Sequence, residues 1–424
     1  MLIKVLNKNL DNIYLLFLLL FPVSLAIGSA IINLSIFLII FFGLIFIKLK
    51  KFDLLLLKKK YFFCLCLFFI YLILNSLINY EYSQSFFKSL GYLRFLFVVI
   101  FFILYFNYKP EYLKYFFLII FITLIIVSID ALFQFILGKN LLGGYEYTQK
   151  KGYLRLTGIF GDKQVVGSFV LKILFLGLTF FDFIKNDFFN KKIKIPLILS
   201  VILLVSSVII FSGERASVVL LFIFISLMFL LKIEFLKSKL VFLLFTIFFL
   251  ILLTNENFQT RFKQIFHLDL GIGYNFNIKD TVWGAHYLTS IKIFQNNPIF
   301  GSGVKSFRYQ CSKFEVKSKS NDQRCSTHTH NLFLEIISET GIIGILIFIT
   351  FLFYFFKEFC FFNINHIIFT KISLLINMFS FYFPVFPSGS FFSTFNASLI
   401  WLSFISLIIL FNYYKSANYD SSWN

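Results

Sequence analysis

The sequence predicts an all-α polytopic membrane protein. Hydrophobic residues make up 59% of the 424 residues and charged residues only 14%, with a mean hydropathy of +0.86. This balance excludes a soluble globular domain, which buries a core beneath a largely polar surface. Several apolar runs continue for about 17 residues or more, which is enough for a helix to cross the hydrocarbon core of a bilayer.

About twelve transmembrane helices can be drawn along the chain. No repeat or low-complexity linker divides them, so we expect one transmembrane domain over residues 1–424, with a large periplasmic loop at 255–331 between helices nine and ten. The predicted helices span 13–28, 31–48, 61–79, 91–107, 115–137, 164–184, 195–212, 216–231, 240–254, 332–356, 367–386 and 392–412.

Lysine-rich connections predict the orientation of these helices. Segment 48–60 carries six lysines and a single acidic residue, the pattern of a cytoplasmic loop. Segments 185–194 and 232–239 are also lysine-rich and fall on the same side, which makes both termini cytoplasmic. The periplasmic face then receives 80–90, 138–163, 212–216, 255–331 and 386–391.

Two of these periplasmic segments carry an excess of positive charge. Segment 255–331 holds ten Lys and Arg against five Asp and Glu, and segment 138–163 holds five against two. The positive-inside rule does not favour basic residues on this face, so the excess indicates an anionic ligand. The alternative is a solvated surface beside anionic headgroups.

Cys311 and Cys325 lie 14 positions apart in the large polar loop. If that loop is periplasmic, a disulfide between them is plausible, because disulfides persist in oxidising compartments. The alternative is two unpaired thiols.

The large loop ends at a helix start that carries titratable residues. His330 can take or give a proton near neutral pH, and Glu335 and Glu339 follow within about three helical turns. Thr327 or Thr329 is predicted to cap the helix. The alternative is a helix start whose polar residues merely lie at the headgroups.

Two arginines are candidate phosphate ligands. Arg215 lies in the turn Ser212-Gly213-Glu214 between two apolar runs, where it must reach the interface or face a water-filled cavity. Its planar guanidinium matches phosphate oxygens better than an ammonium does. Arg155 opens the turn Arg-Leu-Thr-Gly-Ile-Phe, although a plain turn explains its glycine equally well.

Together these segments resemble the O-antigen ligase and O-antigen polymerase superfamily. His330-Asn331, the aliphatic residues after it and Glu339-x-Gly-x-x-Gly344 resemble the C-terminal signature of that family. Ser212-Gly213-x-Arg215 and the Arg155 turn resemble two upstream motifs. Segment 283–303 resembles the family's Trp-bearing amphipathic helix followed by Pro-x-x-Gly-x-Gly.

One position departs from the family pattern. The family usually places an arginine three or four residues before Trp283, whereas this chain has Lys279 and Asp280 there. We expect Lys279 to substitute as a point charge, or Arg308 or Arg261 to fill the role in space.

The resemblance implies a ligase that transfers O-antigen from undecaprenyl diphosphate onto lipid A-core at the periplasmic face of the bacterial inner membrane. It implies His330 as the general base, and a direct attack that inverts the anomeric centre. The residues implied to hold the donor diphosphate are Arg215, Arg155, Lys279 and Arg308, with support from Asn331, Glu335, Glu339 and Trp283. We recognise no zinc, P-loop or dinucleotide signature, so we expect neither a cofactor nor a nucleic-acid partner, and the activated donor would supply the driving force.

Three alternatives stay open at this point. A polymerase would join two lipid-linked units, and a protein O-oligosaccharyltransferase would accept Ser or Thr. The single dominant loop and the motif 386–392 favour the ligase. A transporter would need charged residues along a membrane path, for which Lys172 is the only clear candidate.

Overall fold

The computed structural model describes residues 2–49, 58–79, 83–146, 148–150, 153–183, 191–230, 259, 283–316, 325–360, 368–382 and 387–421. Within these ranges the fold is α-helical, apart from one two-stranded hairpin of β1 (Thr148–Lys150) and β2 (Tyr153–Arg155), which pairs Thr148 with Arg155. The helices are α1 (Leu2–Ile27), α2 (Ser29–Leu49), α3 (Lys60–Ile78), α4 (Ser83–Tyr108), α5 (Leu113–Leu137), α6 (Val166–Gly177), α7 (Lys191–Phe211), α8 (Arg215–Leu230), α9 (Gly284–Asn296), α10 (Phe307–Phe314), α11 (Leu332–Cys360), α12 (Ile368–Tyr382) and α13 (Thr394–Ser421). Short 3₁₀ helices occupy Pro110–Tyr112, Gly158–Phe160 and Leu178–Asp182.

Eight helices in the described ranges are long and apolar enough to cross a membrane, namely α1 to α5, α7, α11 and α13. The prediction of a multi-pass helical membrane protein is therefore confirmed, whereas the count of twelve is not. Helix α6 is shorter than its predicted span 164–184, with 12 residues, whereas α8 has 16 residues, as predicted for 216–231; α12 has 15 residues within the described range. At 1.5 Å per residue these helices cover only about 18–24 Å. The predicted span 240–254 lies outside the described residues.

The last helix, α13, forms the centre of the bundle. In its apolar window 83% of residues are buried, against 28% for α2 at the periphery. Trp401 on α13 packs against Phe69 of α3, and its indole N–H donates to the Tyr92 hydroxyl at 3.1 Å. That hydroxyl donates in turn to the Phe391 carbonyl at 3.2 Å. The polar atoms of the two large aromatic side chains are thereby satisfied inside an apolar core.

Helix α11 is interrupted at Gly341, which has φ 67° and ψ −170°. Only glycine adopts this conformation at little cost. A Cβ atom at Gly341 would lie 2.2 Å from the carbonyl oxygen of Ile299, and one at Gly301 would lie 2.4 Å from the Gly341 nitrogen. The two glycine motifs of the sequence therefore meet backbone to backbone, and each needs its glycine for this approach.

The segment that follows α9 fills the break in α11 and pairs with its backbone. A broken helix leaves polar groups unpaired, and in an apolar surrounding each such group is costly. Here those groups bond to the inserted segment: Ser302 N–H to Ser338 O at 3.0 Å, Gly303 N–H to Glu339 O at 2.9 Å, and Ile342 N–H to Pro298 O at 2.9 Å.

Parts of all five segments predicted to be periplasmic meet at one end of the bundle. The joining contacts are Tyr309 with Gln84, Arg155 with Ser212, and Ser388 with His330. The opposite end contains an ion pair between Lys59 and Glu358, and Lys59 belongs to the segment predicted to be cytoplasmic. The structure therefore places these segments at the same end of the bundle. That this end faces the periplasm stays a prediction.

Candidate active site

The turn that enters α11 holds His330 in a left-handed backbone conformation, with φ +58°. Non-glycine residues adopt this region rarely, and its few occurrences often mark functional positions. The His330 carbonyl accepts a hydrogen bond from the Ser388 N–H at 2.8 Å. The turn is therefore fixed against the segment that precedes α13.

Asn331 caps α11. Its side-chain oxygen accepts the N–H of Leu334 at 3.1 Å, which satisfies one of the unpaired donors of the first helical turn. The prediction that Thr327 or Thr329 caps the helix is wrong, because the Thr329 hydroxyl bonds to the backbone of Asn331 before the helix begins. The supporting role expected for Asn331 has a concrete basis in this cap.

Three aromatic and imidazole rings gather around His330. Its ring centroid lies 4.6 Å from that of Trp283, 4.1 Å from His328 and 5.4 Å from His286. His330 Nε2 lies 3.2 Å from the Ser326 hydroxyl. Helix α9 supplies Trp283 and His286 to this cluster, and sequence reasoning had singled out only Trp283. Its one signal for His286 was the concentration of histidines in the same polar segment.

The two partly buried histidines His328 and His330 are held in the neutral form. The pKa of His330 is lowered to about 3, mainly by burial and to a smaller extent by the neighbouring His328 and His286. The pKa of His328 is lowered to about 4, mainly by burial and to a smaller extent by the nearby charge of Lys305. Both imidazoles therefore have a free lone pair at neutral pH. An anion bound beside His330 would raise its pKa and favour proton uptake.

Glu335 and Glu339 accept hydrogen bonds from two segments that are distant in sequence. Glu335 accepts the Ser390 hydroxyl and the Phe391 N–H, the latter at 2.7 Å. Glu339 accepts the N–H groups of Lys305 at 2.6 Å and Phe307 at 3.2 Å. In the described part of the chain neither carboxylate bonds to His330. They bond instead to the segments around Lys305 and Ser390.

Lys305 is a candidate that sequence reasoning did not single out. It has φ +63°, and its ammonium donates to the Ser390 hydroxyl at 3.2 Å. It interacts electrostatically with Glu335 and Glu339, while burial lowers its pKa. Its position two residues after the Pro-x-x-Gly-x-Gly motif was the available signal. The charge of Lys305 also acts on His328.

Arg155 and the Ser212–Arg215 turn form a second cluster. The guanidinium of Arg155 donates to the Ser212 carbonyl at 3.5 Å and to the side chain of Gln164. Arg215 is half-buried and is the first residue of α8. The two arginine motifs, 60 positions apart in sequence, therefore lie side by side.

Glu214 organises this second cluster and was also missed. Its carboxylate accepts the N–H of Gly167 at 2.7 Å and of Ser168 at 3.0 Å, so it caps α6 from outside. Burial raises the pKa of Glu214, and the charge of Arg155 opposes that rise. A Cβ at Gly167 would lie 2.3 Å from the Ser212 hydroxyl oxygen, so this glycine permits the close approach.

The segment before α13 and the first turn of α13 connect the two clusters. Ser388 bonds to His330 as described above, and Phe395 packs against Phe160 of the Arg155 turn with ring centroids 6.0 Å apart. Arg308 is exposed on α10 and interacts electrostatically with His328. Lys279 and Arg261 lie outside the described residues, so their expected roles stay predictions.

Cys311 and Cys325 form a disulfide with Cα atoms 5.5 Å apart. Cys311 is fully buried and packs with Ile293 of α9 and Phe307 of α10. The disulfide links α10 to the segment that carries His328 and His330. It therefore stabilises the position of the histidine turn from its N-terminal side.

Residues 199–349 match the family described as O-antigen ligase. The matched region begins in α7 and includes the Ser212–Arg215 turn, α9 and the His330 turn, whereas Arg155 lies before it. The match supports placing the chain in the O-antigen ligase/polymerase superfamily, whose members are glycosyltransferase-like enzymes acting on lipid-linked glycans. It indicates an O-antigen ligase- or polymerase-type function. No curated protein matches the chain.

Proposed function

We propose, from the similarity of residues 199–349 to the O-antigen ligase family, that this protein is an O-antigen ligase. It transfers a glycan from undecaprenyl diphosphate to lipid A-core, in the bacterial inner membrane and on the periplasmic face. The observation that supports this most strongly is the neutral, partly buried His330, held in a strained turn among Trp283, His286 and His328. A neutral imidazole beside a cationic cluster suits proton transfer from a hydroxyl while a diphosphate leaves.

In this mechanism His330 takes the proton from an acceptor hydroxyl. The hydroxyl oxygen forms a bond to the anomeric carbon as the bond from that carbon to the diphosphate breaks, so the configuration inverts. Arg215 and Arg155 hold the diphosphate and stabilise the negative charge that develops on it. That negative charge also stabilises the imidazolium, which offsets the low pKa of the free histidine.

Lys305 is the described cation best placed to supplement the two arginines. The family arginine before Trp283 is replaced in this chain. Lys305 interacts electrostatically with His328, Glu335 and Glu339. An ammonium acts there as a point charge rather than a bidentate fork. We therefore assign it electrostatic stabilisation of negative charge near His328, without direct contact with the donor diphosphate.

The mechanism requires residues 255–331 to be periplasmic. Topology reporters fused at Lys317 and Lys237 test this requirement, with a periplasmic signal expected at the first and a cytoplasmic signal at the second. A cytoplasmic signal at Lys317 would place the histidines on the wrong side for the donor and would overturn the proposal.

Deletion of the gene followed by glycolipid gel analysis distinguishes the ligase from its relatives. A ligase deletion leaves lipid A-core uncapped, and this is the result we expect. A cap of a single repeat unit would instead identify a polymerase, and an unchanged glycolipid ladder with loss of glycoprotein would identify a protein O-oligosaccharyltransferase.

The transporter alternative gains nothing from Lys172. Its ammonium lies 4.2 Å from the centroid of the Phe381 ring, a cation–π contact between α6 and α12. Such a contact is typical of a packed helix interface and does not require a water-filled path.

A further inference from the structure

An open cleft lies between the start of α4 and the N-terminus of α10, beside the histidine turn. Its volume is about 310 Å³ including its mouth, and its lining includes Gln84, Ser85, Lys88, Lys305, Arg308 and Tyr309. The Tyr309 hydroxyl donates to Gln84 at 2.7 Å, which closes one edge of the cleft. The cleft is lined by residues from two elements that are more than 200 positions apart in sequence.

Three cations and a helix N-terminus surround this cleft. Lys88 and Arg308 are exposed, and Lys305 is partly buried between them and the carboxylates of α11. The carboxylate of Glu339 is already engaged by two backbone N–H groups at the start of α10. The positive charges of Lys88 and Arg308 both repel that of Lys305. An anion bound between them would reduce this repulsion.

A buried hydroxyl in the lining lacks a partner. Ser85 is 2% exposed, and its Oγ makes no hydrogen bond to any described residue. A buried polar atom without a partner is costly and rare in folded proteins. A ligand oxygen in the cleft would accept a hydrogen bond from this hydroxyl. The surrounding cations favour a negatively charged ligand.

We propose that this cleft binds a phosphate group of the acceptor glycolipid. The site is separate from the Arg155–Arg215 cluster, to which the proposed function assigns the donor diphosphate. Arg308 and Lys305 both act electrostatically on His328, whose ring centroid lies 4.1 Å from that of the proposed base His330, so a phosphate here holds the acceptor beside the histidine turn. The inference rests on the proposed function for the identity of the acceptor, but not for the presence of an anion site.

The test is equilibrium binding to the purified full-length protein in phosphatidylcholine nanodiscs. Two probes are compared: phosphorylated lipid A-core and the same glycolipid with its phosphates removed. We expect wild type to bind the phosphorylated probe at least tenfold more tightly. The double variant Lys88→Gln/Arg308→Gln should lose about tenfold in affinity for that probe only.

Matched controls separate the cleft from general charge. Lys313 is exposed on α10 but does not line the cleft, so Lys313→Gln should bind both probes as wild type does. Ser85→Ala should weaken binding of the phosphorylated probe severalfold without changing the expressed amount. Arg308 is assigned here to the acceptor rather than to the donor diphosphate that the family resemblance implied, so binding of undecaprenyl diphosphate should be unchanged in the double variant, as in Lys313→Gln and Ser85→Ala.

Three results would overturn the inference. They are equal binding of the two probes, loss of donor rather than acceptor binding in the double variant, and full competition by equimolar phosphatidylglycerol, which would make the ligand a membrane headgroup. These readouts do not depend on turnover. If phosphate-dependent binding holds but no glycan is transferred, the proposed function fails and the anion site stands.

Discussion

Replacement of His330 by asparagine is the most direct test of the proposed chemistry. His330 has φ +58°, a region that asparagine tolerates better than most residues, so His330→Asn removes the imidazole without adding backbone strain. The ring contacts with Trp283 and His328 at 4.6 and 4.1 Å are also lost, at a cost of about 1 kcal/mol each. This cost shifts the melting temperature and leaves a folded protein to assay.

The expected loss of activity is much larger than this loss of stability. Removal of a general base lowers the rate by about 10²–10⁴-fold, which corresponds to roughly 3–5 kcal/mol of transition-state stabilisation. The assay measures transfer with purified protein, lipid-linked donor and lipid A-core at matched folded fraction, with and without chelator. His328→Asn is the control and should lose less than about tenfold, because it leaves the proposed base in place.

The depressed pKa of His330 adds a pH signature. Since the free histidine has a pKa of about 3, it stays neutral, and kcat/KM should not decline as the pH falls through 6.5. A bound diphosphate raises that pKa, so the acid limb of kcat should lie at higher pH than that of kcat/KM. The stability of the folded protein also depends on pH. The imidazole is protonated at a higher pH in the unfolded chain than in the folded one, so the folded state loses stability as the pH falls from about 6.5 toward 3.

The reasoning is refuted if His330→Asn transfers glycan within about threefold of wild type while donor binding is preserved. Abolition of wild-type transfer by chelator alone would indicate a metal-dependent reaction instead. A loss confined to donor affinity would make His330 a binding residue rather than a base.

Three further predictions follow from the arginine turn, the break in α11 and the disulfide. Arg215→Lys should weaken donor binding by about tenfold, because the charge stays but one charge-assisted hydrogen bond is lost; donor titration measures this, and unchanged affinity would remove Arg215 from the site. Gly341→Ala should destabilise the protein by at least about 1–3 kcal/mol from backbone strain alone, whereas Gly91→Ala, where a Cβ has no atom within 4 Å, should be neutral in the same thermal unfolding assay. Equal melting temperatures for these two variants would contradict the described break. Free-thiol labelling of the non-reduced protein should miss Cys311 and Cys325, and Cys311→Ser should cost roughly 3 kcal/mol of stability for a loop of about 15 residues; full labelling of either thiol would rule the bond out.

The fold class was predictable because the bilayer imposes it locally. A run of about 20 apolar residues must form a helix in lipid whatever its neighbours are, so the eight long helices could be read from the chain. The shorter segments were harder. The run 164–184 is apolar throughout, yet α6 ends at Gly177 and a 3₁₀ helix follows, and hydropathy alone does not distinguish these two geometries.

The residue types of the site were also set by the sequence, whereas their partners were not. His330 and Trp283 were recognised from motifs, and the structure brings their rings together. Glu335 and Glu339 follow His330 at helical spacing, but their partners, Ser390 and Lys305, come from distant segments. Spacing along one helix defines which side chains share a face and says nothing of what packs against that face.

What the sequence by itself determined is therefore the membrane class, the positions of the long helices and the motif residues, because each depends on local composition. What only the tertiary structure decided is the break at Gly341 that receives a distant loop and the pairing of Arg155 with the Ser212 turn. It also brought His286 and Lys305 to the histidine turn, and Glu214 to the arginine cluster. One physical reason explains why the sequence did not reveal these features. Each depends on backbone groups and charges that are far apart in the sequence. Burial makes an unpaired polar atom costly, and this cost selects one arrangement of them.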